Sequence, residues 1–273
     1  MSIGYRLRSA LAGRLDAPPA DIAVARPVSR ARAIDLALLR QAALLWVVSR
    51  IVLAVFTYFA LPFAAQRPLA PPNVTRAFTP HDLLHAWAQW DTGWYMAIAL
   101  HGYDAHRAAF FPLYPFFVHL IEVVVGPLHI VLAALIVSNL ATLAAFVGIA
   151  FLTAELFGSS AAGYAAMALA AYPVSFFTAT GYSDSLLLAF SAFSLYFALR
   201  GQWKAAAACA ALATLARPLA LALVLPLLWE YGRRYFNPRE QLWGFANARI
   251  VARAAALAAV VPLTLLCWGL YCW

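Results

Sequence analysis

Apolar residues run along this chain in long blocks, not in short amphipathic patches. The first block is 41–65 (QAALLWVVSRIVLAVFTYFALPFAA); others cover 128–157, 161–180, 185–199, 205–229 and 250–271. About 20 apolar residues cross a bilayer as a helix, so the pattern predicts an all-α, polytopic membrane protein. Residues 109–125 (AFFPLYPFFVHLIEVVV) are apolar but short, and contain two prolines, His119 and Glu122. Such a piece either crosses or lies as a re-entrant or interfacial segment. Between the first block and residue 128 runs a long loop, 66–127. Within it, 81–100 (HDLLHAWAQWDTGWYMAIAL) has apolar residues at helical spacing and many aromatics. Trp and Tyr favour the membrane–water boundary, so one or two interfacial helices are expected there.

Composition narrows the class. Of 273 residues, 65% are hydrophobic and only 11% charged, with mean hydropathy +0.79. A water-soluble globule is excluded, and so is a disordered chain. The net charge of +8 is gathered in blocks beside the apolar segments, the pattern of cytoplasmic flanks and not of a nucleic-acid surface. Segment 1–40 carries Arg6, Arg8, Arg14, Arg26, Arg30, Arg32 and Arg40 against three Asp, with no apolar signal core or cleavage site. It reads as a basic cytoplasmic N-terminal segment. Eighteen Arg against the single Lys204, with abundant Ala, suggest a GC-rich bacterial genome, hence a plasma membrane. Cys209, Cys267 and Cys272 lie inside apolar blocks and read as small buried residues, not as disulfides or metal ligands.

Charge constrains topology. Arg200 and Lys204 flank one short connection, and Arg233, Arg234, Arg239, Arg249 and Arg253 occupy 231–253. Both prefer the cytoplasm. Both can be satisfied if 109–125 does not cross and 205–229 is two half-helices that turn at Arg217-Pro218 and return. A proline pushes its predecessor out of helical geometry, and broken helices are tolerated where they line a cavity. Residues around Asp91, the GYSDS run at 181–185 and Arg217 then share the outer side. The rival solution makes 109–125 a full span and 205–229 one helix, putting Arg200 and Lys204 outside and separating Asp91 from Asp184. Arg50, inside the first block, must face protein or snorkel.

The candidate chemistry lies at costly polar positions. Asp91 sits among Trp87, Trp90, Trp94 and Tyr95. Partial burial there would tune a general base; the alternative is a helix cap preceding Thr92-Gly93. Asp184 is a second carboxylate or, with Ser183, the cap of the helix that follows. Arg217, in ATLARPLALAL, suits phosphate through bidentate hydrogen bonds; otherwise it pairs with an acid such as Glu122 or snorkels. His81, His85, His101 and His106 do not form a convincing metal set, although His101 and Tyr103 can line a polar site. The block from Phe110 to Pro115, with Tyr114, is a rigid apolar plug that either packs or touches a lipid chain. Asn139 in a span is expected to bond another helix. No P-loop, dinucleotide fingerprint, HExxH or DxD acid pair is present, so neither cofactor nor metal is expected.

Taken in order, WDTGWYMAIALHGYD, AFFPLYPFFVHL, SNL, GYSDSLLLAF and ATLARPLALALVLP resemble the PIG-V family of mannosyltransferases, membrane enzymes of the GT-C fold. The resemblance covers roughly residues 40–230. It implies a polyprenyl-phosphate sugar donor, a glycolipid or glycan acceptor, and a site on the extracytoplasmic side. The family's essential acid in the first outer loop corresponds to Asp91, which would deprotonate the acceptor hydroxyl while the sugar inverts. Arg217 would meet the phosphate, and Asp184 would orient the acceptor or the base. Trp90, Tyr95 and Tyr182 would join His101, Tyr103 and Tyr114 as substrate contacts. The family usually has Glu where this chain has Asp184, a shorter reach for the same charge. Members generally carry further spans after the point where this sequence stops, so a truncated gene product, a fragment or a short homologue is expected. The competing expectations are a non-enzymatic carrier-lipid transporter or scaffold, or a GT-C enzyme using another sugar.

Overall fold

A computed structural model describes residues 36–64, 80–235 and 245–272. Nearly all of the basic N-terminal segment, and residues 66–79 of the loop, lie outside the described residues. The helices are α1 (Leu36–Ala64), α2 (Pro80–His85), α3 (Thr92–His101), α4 (Leu113–Val125), α5 (Ile130–Phe157), α6 (Ser159–Ala171), α7 (Asp184–Leu199), α8 (Trp203–Ala216), α9 (Val224–Tyr235) and α10 (Phe245–Cys272). Short 3-10 turns cover Pro127–His129, Ser175–Thr178 and Pro218–Leu223. There is no strand among the described residues. The stretches Leu36–Leu61, Pro127–Phe157 and Ala248–Cys272 are long and apolar enough to cross a membrane. The molecule is an all-α membrane protein.

Its centre is the contact of α5, α7 and α8. Small residues line it: Ala189 and Ala192 on α7, Ala206, Ala210 and Ala213 on α8, all nearly or fully buried. A Cβ added at Gly148 of α5 would lie 3.1 Å from the Ala192 Cβ. Lipid tails are as apolar as leucine, so helices in a bilayer associate through close packing of small side chains.

Two proline positions shape the rest. Tyr172 is extended (φ −64°, ψ 129°) ahead of Pro173, so the expected 161–180 segment is a 13-residue helix that stops at Ala171. Its remainder is a loop, 172–183, lying along α5. Thr142 Oγ1 donates to the Thr178 carbonyl (2.6 Å), and Ser138 Oγ donates to that of Tyr182 (3.2 Å). These bonds satisfy backbone groups that neither helix nor water would serve. Arg217 is likewise extended (φ −155°, ψ 142°) ahead of Pro218, and ends α8. The chain then doubles back. The Trp203 ring lies 4.8 Å from that of Tyr231, and Arg234 Nη2 donates to the Leu199 carbonyl at 2.6 Å. Arg200 and Lys204 therefore share one end of the bundle with Arg233 and Arg234. Arg217 lies a helix length away, roughly 20 Å at 1.5 Å per residue.

Before α5, α3 sinks Thr92, Tyr95, Ile98 and Ala99 into the protein instead of resting on its surface. At 13 residues, α4 is too short to cross a bilayer alone. It lies against the start of α5, where Tyr114 Oη donates to the Ala134 carbonyl (2.8 Å). The cysteines differ from expectation. All three are free, but Cys267 and Cys272 are exposed, because α10 turns most of its surface outward.

Candidate active site

Three chain breaks build the site: the turn before α3, the loop before α7 and the break after α8. Each delivers one charged residue. Asp91 precedes α3, Asp184 begins α7, and Arg217 follows α8.

Asp184 Oδ2 accepts from Arg217 Nη2 at 2.7 Å, with each side chain one-third exposed. Arg217 Nε donates to Ser183 Oγ at 3.0 Å. The guanidinium is thus held along its Nε–Nη2 side, and no described residue bonds its Nη1 end. Ser183 Oγ also lies 2.8 Å from Tyr95 Oη, which fixes α3 against α7. Ser183 is fully buried and joins Arg217 to Tyr95. It precedes α7 but makes no side-chain cap bond. Sequence reasoning missed its part, because a serine before a helix reads as a cap.

Asp91 stands at the N-terminus of α3, yet its carboxylate makes no cap bond. Its backbone N–H donates to Tyr182 Oη at 3.2 Å. No described residue engages its side chain, which is exposed. The preceding Trp90 has φ 49°, a left-handed conformation that is strained for a bulky residue. Strain of this kind persists only where surrounding contacts impose it. Here the Trp90 ring packs 6.2 Å from Phe177, which stacks on Tyr182 (5.7 Å, 15°). Beneath Asp91, Thr92 is buried against Gly181, and a Cβ at Gly181 would collide with the Thr92 methyl. Gly181 is there for close approach.

The charges act on common neighbours. Burial pushes the Tyr95 phenol up; Ser183 and Arg217 oppose this, while Asp184 and Asp91 add to it. The Tyr182 phenol is also raised, by burial first; the hydrogen bond from the Asp91 backbone and the Arg217 charge oppose this, while the Asp91 and Asp184 charges add to it. Both hydroxyls stay protonated at neutral pH, and the three charged groups form one electrostatic cluster.

Other predicted contacts stand further off. Tyr114 is fully buried with its hydroxyl between Ala134 and Ser138 (2.9 Å to Ser138 Oγ), so it supports the Tyr95 ring (4.9 Å) from behind. His101 is exposed at the far end of α3, roughly 14 Å along the helix from Asp91. Tyr103 Oη donates to the Phe110 carbonyl (3.0 Å) and its ring packs on Trp268 (4.8 Å). Glu122 faces His119 (3.4 Å) rather than Arg217. The side chain of His81 lies outside the described residues; His85 ends α2.

From Asp184 a groove of about 600 Å³ runs between the 172–183 loop, α7 and the Pro218–Leu223 turn. Ser175, Thr178 and Ser191 give it some polarity, while Leu187, Leu219 and Leu223 are among its apolar walls. Asp184, which pairs with Arg217, stands on its lining among mostly apolar residues, a combination that suits a ligand with a charged head and a hydrocarbon tail.

The family model for mannosyltransferase (PIG-V) matches residues 35–268. No curated protein and no solved structure matches the chain. With nearly the whole chain covered, the protein belongs to the mannosyltransferase (PIG-V) family and is a glycosyltransferase.

Proposed function

We propose that this member of the mannosyltransferase (PIG-V) family, a GT-C enzyme, moves mannose from a polyprenyl phosphate to an acceptor hydroxyl, with Asp91 as general base. The acceptor is a glycolipid or glycan. The observation that carries this reading is the division of labour in the cluster. The Asp184 carboxylate is committed to Arg217, whereas that of Asp91 is exposed and unengaged beside it.

Asp91 takes the acceptor's proton as the hydroxyl oxygen attacks the anomeric carbon. The bond from that carbon to the phosphate oxygen breaks on the opposite face, its electron pair leaves with the carrier phosphate, and configuration inverts. The Nη1 end of Arg217 meets the charge that builds on the phosphate. Asp184 and Ser183 hold the guanidinium in place beforehand, so little reorganisation is needed. The apolar groove leading from Asp184 accommodates the isoprenoid chain. Trp90, Tyr95 and Tyr182 frame the sugar side of the pocket. Arginine-rich ends prefer the cytoplasm; with Arg200, Arg233 and Arg234 there, the site faces outward, from a bacterial plasma membrane if the arginine-rich composition is a guide.

The test offers the detergent-solubilised protein two donors, polyprenyl-phosphate mannose and a nucleotide-linked mannose, with a glycolipid acceptor. Transfer from the lipid donor alone, with the product linkage inverted relative to it, is the expected result. Transfer from the nucleotide donor, or retained configuration, overturns the proposal.

A further inference from the structure

Arg50 sits midway along α1, within a stretch of mean hydropathy 2.1. A cation there is expensive and calls for a partner. No carboxylate pairs with it among the described residues. Its guanidinium turns into the bundle instead and spreads over neutral acceptors. Nη2 donates to Thr178 Oγ1 at 3.2 Å, Nη1 to Asn139 Oδ1 at 3.5 Å, and Nε to Ser49 Oγ at 3.2 Å. One side chain thus ties α1 both to α5 and to the loop that carries the site.

Thr178 is an effective place to hold that loop. It closes the Ser175–Thr178 turn, its hydroxyl donates to the Ser175 carbonyl (2.6 Å), and its own carbonyl accepts from Thr142. Thr178 and Asp184 line the same groove. Four residues after Thr178 comes Tyr182, whose hydroxyl accepts from the Asp91 backbone; Ser183 and Asp184 follow directly. An apolar residue at position 50 would suit the bilayer better. What it cannot supply is the planar fork that reaches a helix and a turn at once.

We infer that Arg50 is a positioning residue for the transfer reaction: through Thr178 it fixes the groove wall and the Tyr182–Asp184 run. The inference rests on the transferase reading above. Displacing reacting groups by about 1 Å costs on the order of 100-fold. Arg50→Met is therefore expected to lower kcat about 10- to 100-fold while the donor KM moves less than about threefold. Arg50→Lys keeps the charge without the fork and regains only part of the loss. Thr178→Val lowers kcat similarly, and combining it with Arg50→Met adds little. Full activity in Arg50→Lys, a loss confined to KM, or losses that multiply would each overturn the inference. Should Arg50→Met fail to fold, unchanged kcat in Thr178→Val overturns it alone.

A second readout does not depend on transfer. In a background with Cys209, Cys267 and Cys272 replaced by alanine, Ser175→Cys is alkylated by a maleimide. Faster alkylation when Arg50→Met is added is expected; an unchanged rate overturns the anchoring role whether or not the lipid donor is used.

Discussion

In the proposed reaction three charged side chains carry the chemistry, and two of them, Asp184 and Arg217, form a half-buried ion pair. Asp91 and Arg217 were visible in the sequence: an acid in a cluster of tryptophans and an arginine in an apolar run need a reason to be there. Their partners were less visible. Asp184 serves Arg217, and Ser183 joins Arg217 to Tyr95, which lies 88 residues before Ser183 in the sequence, a relation local patterns do not contain. The approach of Thr92 to Gly181 was equally hidden, because glycine beside tyrosine reads only as a turn. Arg217→Ala is expected to raise the donor KM more than the acceptor KM, and Arg217→Lys to fall short of rescue, since an ammonium cannot serve phosphate, Ser183 and Asp184 together. Steady-state kinetics with each substrate varied in turn decides this; equal effects would argue against phosphate contact. Gly181→Ala should displace Thr92 and lower kcat by about 10- to 100-fold with helicity unchanged, checked by circular dichroism beside the transfer assay.

Helices were legible where apolar runs were long and breakers strong. The first block and the 128–157 block read as helices because nothing interrupts them, and Arg217-Pro218 marked a break that the backbone makes. Residues 172–180 were misread as the end of a span. Their composition is apolar, but Pro173 halts α6, and Thr142 and Ser138 of α5 supply the hydrogen bonds that let the loop persist. Periodicity registers hydrophobicity, not such side-chain rescue of a backbone. The α7–α8 contact depends on alanines too small to signal in a hydropathy profile. Ala210, fully buried, tests it. Ala210→Leu should overpack the contact and cost about 1–3 kcal/mol, seen as a lower melting temperature in detergent; an unchanged value would mean the interface is looser than described.

At the scale of the molecule, two ends with different charge face opposite ways. Arg200, Arg233 and Arg234 gather where α8 begins and α9 ends, whereas Asp91, Asp184 and Arg217 meet where α8 breaks. This separation follows from the return of the chain after Arg217. In a background lacking the native cysteines, a membrane-impermeant maleimide applied to intact cells should label His106→Cys and spare Lys204→Cys; the reverse would invert the molecule. The family match over residues 35–268 takes in all three charged residues.

In the proposed mechanism Asp91 is the group that takes the proton. Replacing it by asparagine keeps size and polarity but removes the base. In a transfer assay with polyprenyl-phosphate mannose, Asp91→Asn should elute and melt like the parent protein yet lose about 100- to 10,000-fold in kcat, with donor binding retained. A variant that transfers mannose at the parental rate would contradict the account at its centre.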